Sequence, residues 1–341
     1  MVVAGDVVKW SSGAPVASGG TSAQRAPAGA PSAAPGLAVA GPVQDAGAVL
    51  AQAGAENFTV ASRLLPRTVR RHLLAVYGFA RLADDLGDEA PGDRAALLDE
   101  LARQLDVVFA VAGARRSAPG GGACGAAADH ADGAGLHPLL SRLTDTVAAR
   151  DLPRAPFDRL IEANRHDQTT TGHATFADLL AYCRLSATPV GELVLRVVGA
   201  ASPRNLALAD ATCVGLQLAE LWQDLGEDCR AGRVYLPLDD VARYGYDLDR
   251  LERGVADDAF RRLMAFEVAR ARRFLERGRP LGDLLGGRVG LAVRLYTVGG
   301  MLALDELERR RYDTLTTSGR VSRGRLLRAT IGEIVRRGWD R

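Results

Sequence analysis

Apolar residues recur at three- and four-residue spacing over most of the chain, the period of a helix with one buried face. Alternating runs rich in Val, Ile and Thr are scarce. The pattern predicts helices over 67–86, 92–112, 137–149, 156–165, 175–200, 204–230, 256–277, 288–312 and 322–338. Punctuation agrees: Pro66 stands before a first turn, Pro203 opens a helix, and Gly278 followed by Pro280 closes another. Two stretches lack any period. Residues 1–50, mostly Ala, Gly, Pro and Ser, hold too little apolar surface to offset chain entropy and predict a disordered tail. Arg115 to Gly135 (RRSAPGGGACGAAADHADGAG) predicts a flexible loop at about 114–136. The expectation is one all-α domain over 51–341, a helical bundle of roughly 280 ordered residues. With so few strands a doubly wound nucleotide-binding fold is disfavoured.

Composition then narrows the function classes. The 43 basic and 41 acidic residues leave a net charge of +2, so no global nucleic-acid footprint exists and no nucleic-acid partner is expected. None of Cys124, Cys183, Cys213 and Cys229 forms a C-x-x-C pair, which argues against a zinc site or disulfide framework and fits a reducing cytosol. The start, MVVAGDVVKW, lacks a basic segment followed by an apolar core, and Ala26 to Gln44 is broken by Pro and Gly, so neither a signal peptide nor a membrane span is expected. His72, His130, His137, His166 and His173 lack metal-ligand spacing and read as structural or solvated. The Arg-rich stretch from Arg309 to Arg337 reads first as a solvated helix face and second as a peripheral contact with anionic lipid. A cytoplasmic protein, peripheral at most to the membrane, is the expectation.

Two acidic segments change the picture. In YGFARLADDLGDE, Tyr77, Arg81, Asp84 and Asp88 fall within about 60° on a helical wheel. In LQLAELWQDLGED, Gln217, Glu220, Asp224 and Asp228 fall within about 80°, beside an apolar stripe of Val214, Leu218, Leu221, Trp222 and Leu225. Carboxylates four apart repel unless something positive lies between them. A solvated acidic face is the ordinary reading of the first segment. The second sits in strongly apolar sequence, where a carboxylate stripe is costly unless paired or metal-bound. Hard oxygen donors without His or Cys select Mg²⁺, which bridges carboxylates to phosphate oxygens. A diphosphate held by Mg²⁺ inside a helical bundle is the chemistry that follows. Asp85 points about 100° away from Asp84 and is the poorer ligand. The polar cluster Asn164 to Gln168 reads first as a helix cap or surface and second as a lining of the cavity mouth.

These segments resemble the squalene/phytoene synthase branch of the trans-isoprenyl diphosphate synthases, from about Glu56 to about Arg328. YGFARLADDLGDE matches that family's first aspartate-rich motif, and LQLAELWQDLGEDCRAGRVYLP its second, with an R-x-Y-x-P tail at Arg233, Tyr235 and Pro237. AYCRLSATPVGELVL matches the intervening helix, and ENFTVASRLLP is similar to the N-terminal motif of bacterial hydroxysqualene synthases of the squalene synthase HpnC type. The resemblance implies an isoprenoid (terpenoid) synthase bundle with a central cavity. It implies that Asp84, Asp88, Asp224 and Asp228 bind Mg²⁺ and diphosphate, that Arg81 contacts the diphosphate, and that Tyr77 and Tyr182 stand near the reacting carbons. Phe58, Gln217, Glu220, Gln223, Arg233 and Tyr235 complete the implied substrate site.

Two departures bear on the reaction. Condensing relatives commonly carry Asn where Glu220 stands and Arg where Gln223 stands. Fewer basic groups weaken the hold on a second diphosphate. The resemblance therefore implies a lyase that converts presqualene diphosphate and water to hydroxysqualene, with Tyr182 and Glu220 as candidates to position the water. The alternative is condensation of two prenyl diphosphates to presqualene diphosphate, squalene or phytoene. A helical protein that binds a prenyl lipid without catalysis is the alternative from another class.

Overall fold

The computed structural model describes residues 65–117 and 136–316. Segment 1–50, Phe58, residues 118–135 and the helix expected over 322–338 lie outside them. The chain forms α1 (Arg67–Asp88), α2 (Arg94–Ser117), α3 (Pro138–Arg150) and α4 (Ala155–Asp167), then β1 (Gly172–His173). It continues through α5 (Phe176–Ser186), α6 (Thr188–Val197), α7 (Pro203–Arg230) and β2 (Val234–Pro237). The short helices α8 (Leu238–Arg243) and α9 (Leu248–Glu252) lead to α10 (Asp258–Gly278), α11 (Pro280–Leu285) and α12 (Gly287–Arg309). The architecture is all-α, as the periodicity implied.

Local chemistry sets the boundaries. Pro203 is the first residue of α7, and the Ser202 hydroxyl before it accepts the Asn205 N–H at 3.2 Å. Thr175 and Asp178 close a reciprocal cap at the start of α5. The single helix expected over 175–200 is broken at Ala187, because Pro189 has no N–H for the Leu185 carbonyl and its ring crowds that group. Residues 114–117, expected as loop, instead complete the last turn of α2.

Two apolar clusters build the core. One joins α1 to α4 with Leu193 and Val197 of α6, around Phe79, Leu82, Leu101, Leu140 and Phe157. The other joins α5, α7, α10 and α12 around Tyr182, Leu218, Trp222, Phe260 and Leu304. Each fully buried Leu or Phe contributes about 1.5–3 kcal/mol by leaving water. Helix α7 lies close against α10: a Cβ on Gly215 would stand 2.9 Å from the Leu275 backbone nitrogen, so only glycine permits that approach.

Against the first cluster, and closed by a smaller one of Leu195, Ala209 and Leu281, lies a chamber of about 190 Å³ with almost wholly apolar walls. Helix α1 supplies Leu73, Val76, Tyr77 and Ala80, α6 supplies Val190 and Val194, and α12 supplies Val293 and Tyr296. On α7 the lining runs from Ala209 to Glu220. Asp224 follows one turn later. Both acidic segments therefore sit at one end of the same apolar space. No described helix is long and apolar enough to cross a membrane.

Candidate active site

The solvated-face reading of the first motif does not survive. Val76, Phe79, Leu82 and Leu86 bury one side of α1, and the motif side is also shielded: the Asp88 side chain is only 11% exposed. Asp228, on α7, is buried at 3%. Both acid pairs lie at the C-terminal ends of their helices, since Asp88 is the last residue of α1 and Asp228 is two short of the end of α7. There the unsatisfied carbonyls present negative potential, which disfavours carboxylates and favours cations.

One cation of the chain sits between the motifs. After α7 the backbone turns through Gly232, whose φ of +79° suits glycine, and enters β2. Strand β2 pairs in parallel with β1, Gly172 against Val234. Along a strand, residues two apart share a face, so Arg233 and Tyr235 point the same way. The Arg233 guanidinium lies 3.9 Å from the Asp88 carboxylate, and it also feels the charges of Asp228 and Asp167. Helix α1, helix α7 and the R-x-Y-x-P tail are thus joined electrostatically.

The short strand pair also builds an aromatic wall. His166 and His173 stack at 5.9 Å, and Tyr182 and Tyr235 pack against them at 5.5–5.8 Å. Tyr182 donates its hydroxyl to Asp167 at 3.0 Å. It stands beside the acidic end rather than among the chamber-lining residues, because this bond and the stacking hold its ring there. Tyr77, Gln217 and Glu220 do line the chamber, and Gln223 and Asp224 lie partly buried one turn further along α7. Arg81 pairs with acids at the end of its own helix. Its Nε lies 2.7 Å from Asp85, as an i,i+4 spacing favours, and its Nη2 lies 3.2 Å from Glu89 beyond the helix end. Asp85, the poor ligand on the wheel, is occupied by that pair.

The cluster read first as cap or surface belongs to the site instead. Buried Asn164 donates to Asp84 at 3.1 Å, Gln168 donates to the Gly87 carbonyl at 2.9 Å, and Asp167 bonds Tyr182. Asn164, Asp167 and Gln168 recur at helical spacing on one face of α4, the signal that would have found them.

Burial governs the electrostatics. Desolvation raises the Asp84 carboxyl well above its usual range, against the Asn164 hydrogen bond and with the like charge of Asp88. Asp88 is raised by burial, partly offset by Arg233. Asp228 is pushed up to about 7 by burial and then by Asp224, and Asp167 to about 7 by burial against its bond from Tyr182. Burial thus favours the protonated form of these acids, and carboxyls shifted this way in a cleft mark a candidate functional site. Oδ1 of Asp228 and Nε and Nη2 of Arg233 are buried without a hydrogen-bond partner. Among the described residues no three His, Cys, Asp or Glu side chains converge closely enough to hold a metal unaided. The motif donors are all carboxylate oxygens, the ligand type that hard cations take.

Comparison with known proteins agrees with this geometry. The squalene/phytoene synthase family profile matches residues 51–326. The chain belongs to the squalene/phytoene synthase family. It is 31% identical over 278 residues to a phytoene synthase of Arthrospira platensis, covering 76% of this chain and 82% of that one. It is 30% identical over 303 residues to a 15-cis-phytoene synthase of Synechococcus elongatus, covering 81% and 90%. Its structure is similar to that of squalene synthase HpnC from Alicyclobacillus acidocaldarius, with a TM-score of 0.68 and 39% identity over 77% of this chain and 92% of that one. A dehydrosqualene synthase shares the fold at 22% identity and a TM-score of 0.69, covering 85% and 95%. The fold is that of an isoprenoid synthase, and the family acts on prenyl diphosphates.

Proposed function

We propose that the chain is a Mg²⁺-dependent hydroxysqualene synthase, taking presqualene diphosphate and water to hydroxysqualene and diphosphate. The observation that carries this reading is the charge on α7 where the chamber meets the acids. Glu220 lines the chamber there, and the next turn carries Gln223, so α7 offers one diphosphate no added cation and a second diphosphate still less. Similarity to squalene synthase HpnC supports the squalene side of the family.

Asp84, Asp88, Asp224 and Asp228 would hold Mg²⁺, which when bound would supply Lewis-acid charge to the diphosphate oxygens. Arg233 adds a fixed positive charge on the same side as the departing group. The carbocation left behind enters a chamber whose apolar walls exclude bulk water. The Tyr77 ring, in that wall, offers a cation its negative face. Gln217 and Glu220, polar residues in the chamber wall, would orient the capturing water, whose proton passes to the released diphosphate as the new C–O bond forms. No reductant is consumed.

Condensation of two prenyl diphosphates is the second reading, favoured by the phytoene synthases at 30–31% identity. Incubation of purified protein with Mg²⁺ and presqualene, farnesyl or geranylgeranyl diphosphate, with and without NADPH, tests the assignment by mass spectrometry. Hydroxysqualene from presqualene diphosphate without NADPH is the expected product. Phytoene, squalene or presqualene diphosphate formed from the simple prenyl diphosphates would replace the lyase reading with the condensing one.

A further inference from the structure

The two acidic motifs lie on α1 and α7, yet a third helix grips one of them. Asn164 on α4 is 4% exposed and gives both hydrogens of its amide away: Nδ2 donates to Asp84 Oδ1 at 3.1 Å and to the Leu160 carbonyl at 3.1 Å. Reversing the amide would set its oxygen against a carboxylate and a carbonyl, so the network fixes its orientation. Room for it exists because residue 87 is glycine. A Cβ there would stand 2.3 Å from Asn164 Oδ1. Gln168, one turn on, donates to the carbonyls of Gly87 at 2.9 Å and Asn164 at 3.0 Å, stapling the last turn of α1 to α4. The Gly87 carbonyl is one of the terminal groups that a helix leaves unsatisfied.

We propose that Asn164 is a positioning residue for Asp84, seated by Gly87 and Gln168, which fixes one carboxylate oxygen so that the other meets Mg²⁺ and diphosphate without reorganisation. The inference rests on the reading of Asp84 as a metal-holding group. A neutral donor suits this task. A lysine or arginine in its place would orient the carboxylate but neutralise it and compete with the metal, whereas Asn164 leaves the full charge available. Losing an outer partner of a metal ligand typically lowers metal affinity about 10- to 100-fold.

The test is Mg²⁺ titration of inorganic pyrophosphate binding to the full chain, followed by calorimetry, with circular dichroism to check folding. Asn164→Ala is expected to raise the Mg²⁺ half-saturation concentration by about tenfold. Gln168→Ala, which leaves the Asn164 amide in place, is expected to raise it by a smaller factor, about two- to fivefold, and serves if Asn164→Ala does not fold. In an Asp84→Asn background, adding Asn164→Ala should change the half-saturation no further, because Asn164 acts through Asp84. Wild-type binding with unchanged half-saturation in folded Asn164→Ala, or in Gln168→Ala if only that variant folds, would overturn the positioning role and leave the metal site intact. Absence of Mg²⁺-dependent pyrophosphate binding by the wild type would remove the metal site and this inference together.

Discussion

The two aspartate motifs solve the same electrostatic problem differently. On α1, Asp84 is held by a neutral amide, Asp88 faces Arg233, and the neighbouring Asp85 is engaged by Arg81. On α7, Asp228 is buried, keeps an oxygen without a hydrogen-bond partner among the described residues, and is pushed toward neutrality first by that burial and then by Asp224, against the opposing charge of Arg233. The first motif is braced by hydrogen bonds and ion pairs from its surroundings. The second is relieved by the shared charge of Arg233 and by protonation, since Asp228 is pushed up to about 7. A bound cation would displace that proton, so on the proposed reading cation binding at the second motif is coupled to proton release.

Removing the charge of either half should give the largest effect, with opposite signs in two measurements. Asp84→Asn and Asp228→Asn are each expected to lower diphosphate release on the order of 10²- to 10³-fold. Asp228→Asn should at the same time raise the melting temperature of the metal-free protein, because a buried like charge is lost. Asp84→Asn should raise it less, since its amide oxygen accepts the Asn164 hydrogen bond more weakly than the carboxylate does. Equal diphosphate release from wild type and both variants would end the metal-site reading.

Arg233 tests what joins the halves. Arg233→Gln removes the cation shared by Asp88, Asp167 and Asp228, and is expected to destabilise the metal-free protein by about 2–3 kcal/mol at pH 8. The loss should shrink at pH 5, where the acids are protonated. Urea unfolding at the two pH values measures it, and a loss independent of pH would show that Arg233 acts only by packing.

Protonation gives the next, smaller effect. Asp228 and Asp167 have folded-state pKa values of about 7 against an ordinary carboxylate value of 3.8. The folded protein thus binds more protons between these limits than the unfolded chain. Their contribution is complete below about pH 4 and is lost as pH rises through 7. The melting temperature in chelator should therefore fall from pH 5 to pH 8, and Asp228→Asn should flatten that slope. Glu267 on α10, pushed up to about 8 by burial despite Arg270, adds the same sign. It lies outside the motifs, so Mg²⁺ with pyrophosphate should relieve the slope from Asp228 and leave that from Glu267.

The two halves were not equally legible in the sequence. Helical periodicity placed α1 and α7 within two residues of their ends, and the wheel set Asp85 apart from Asp84, where it meets Arg81. These are local properties, and each helix carries its own apolar stripe. The brace on α1 comes from α4, eighty residues later in the chain, and Asn164 by itself reads like any polar residue near a helix end. Tyr182 was identified as a site residue, yet its place against Asp167 depends on stacking with His166, His173 and Tyr235. That wall forms only because a two-residue strand, too short to leave a pattern, pairs with the start of β2. What chain-distant elements impose on one another has no period to read.

The smallest expected effect concerns specificity and sharpens the contrast on the α7 side. Glu220, which lines the chamber, and Gln223 stand four and one residues before Asp224, at the positions where the resemblance set Asn and Arg in condensing relatives. Glu220→Asn with Gln223→Arg replaces one negative charge by one positive, a change of two units beside the second motif. Added positive charge should improve the hold on a second diphosphate more than on the first, which on the proposed reading Asp84 and Asp88 would hold through Mg²⁺. The double variant is therefore expected to gain a trace condensation product from farnesyl diphosphate and to lose about two- to tenfold in turnover of presqualene diphosphate, the loss reflecting removal of a water-orienting carboxylate. Product profiles from the two substrates, measured side by side, decide it. If the variant keeps full hydroxysqualene formation and gains nothing from farnesyl diphosphate, the charge on this turn does not set the reaction, and the difference between lyase and condensing relatives must lie in the shape of the chamber beyond Glu220.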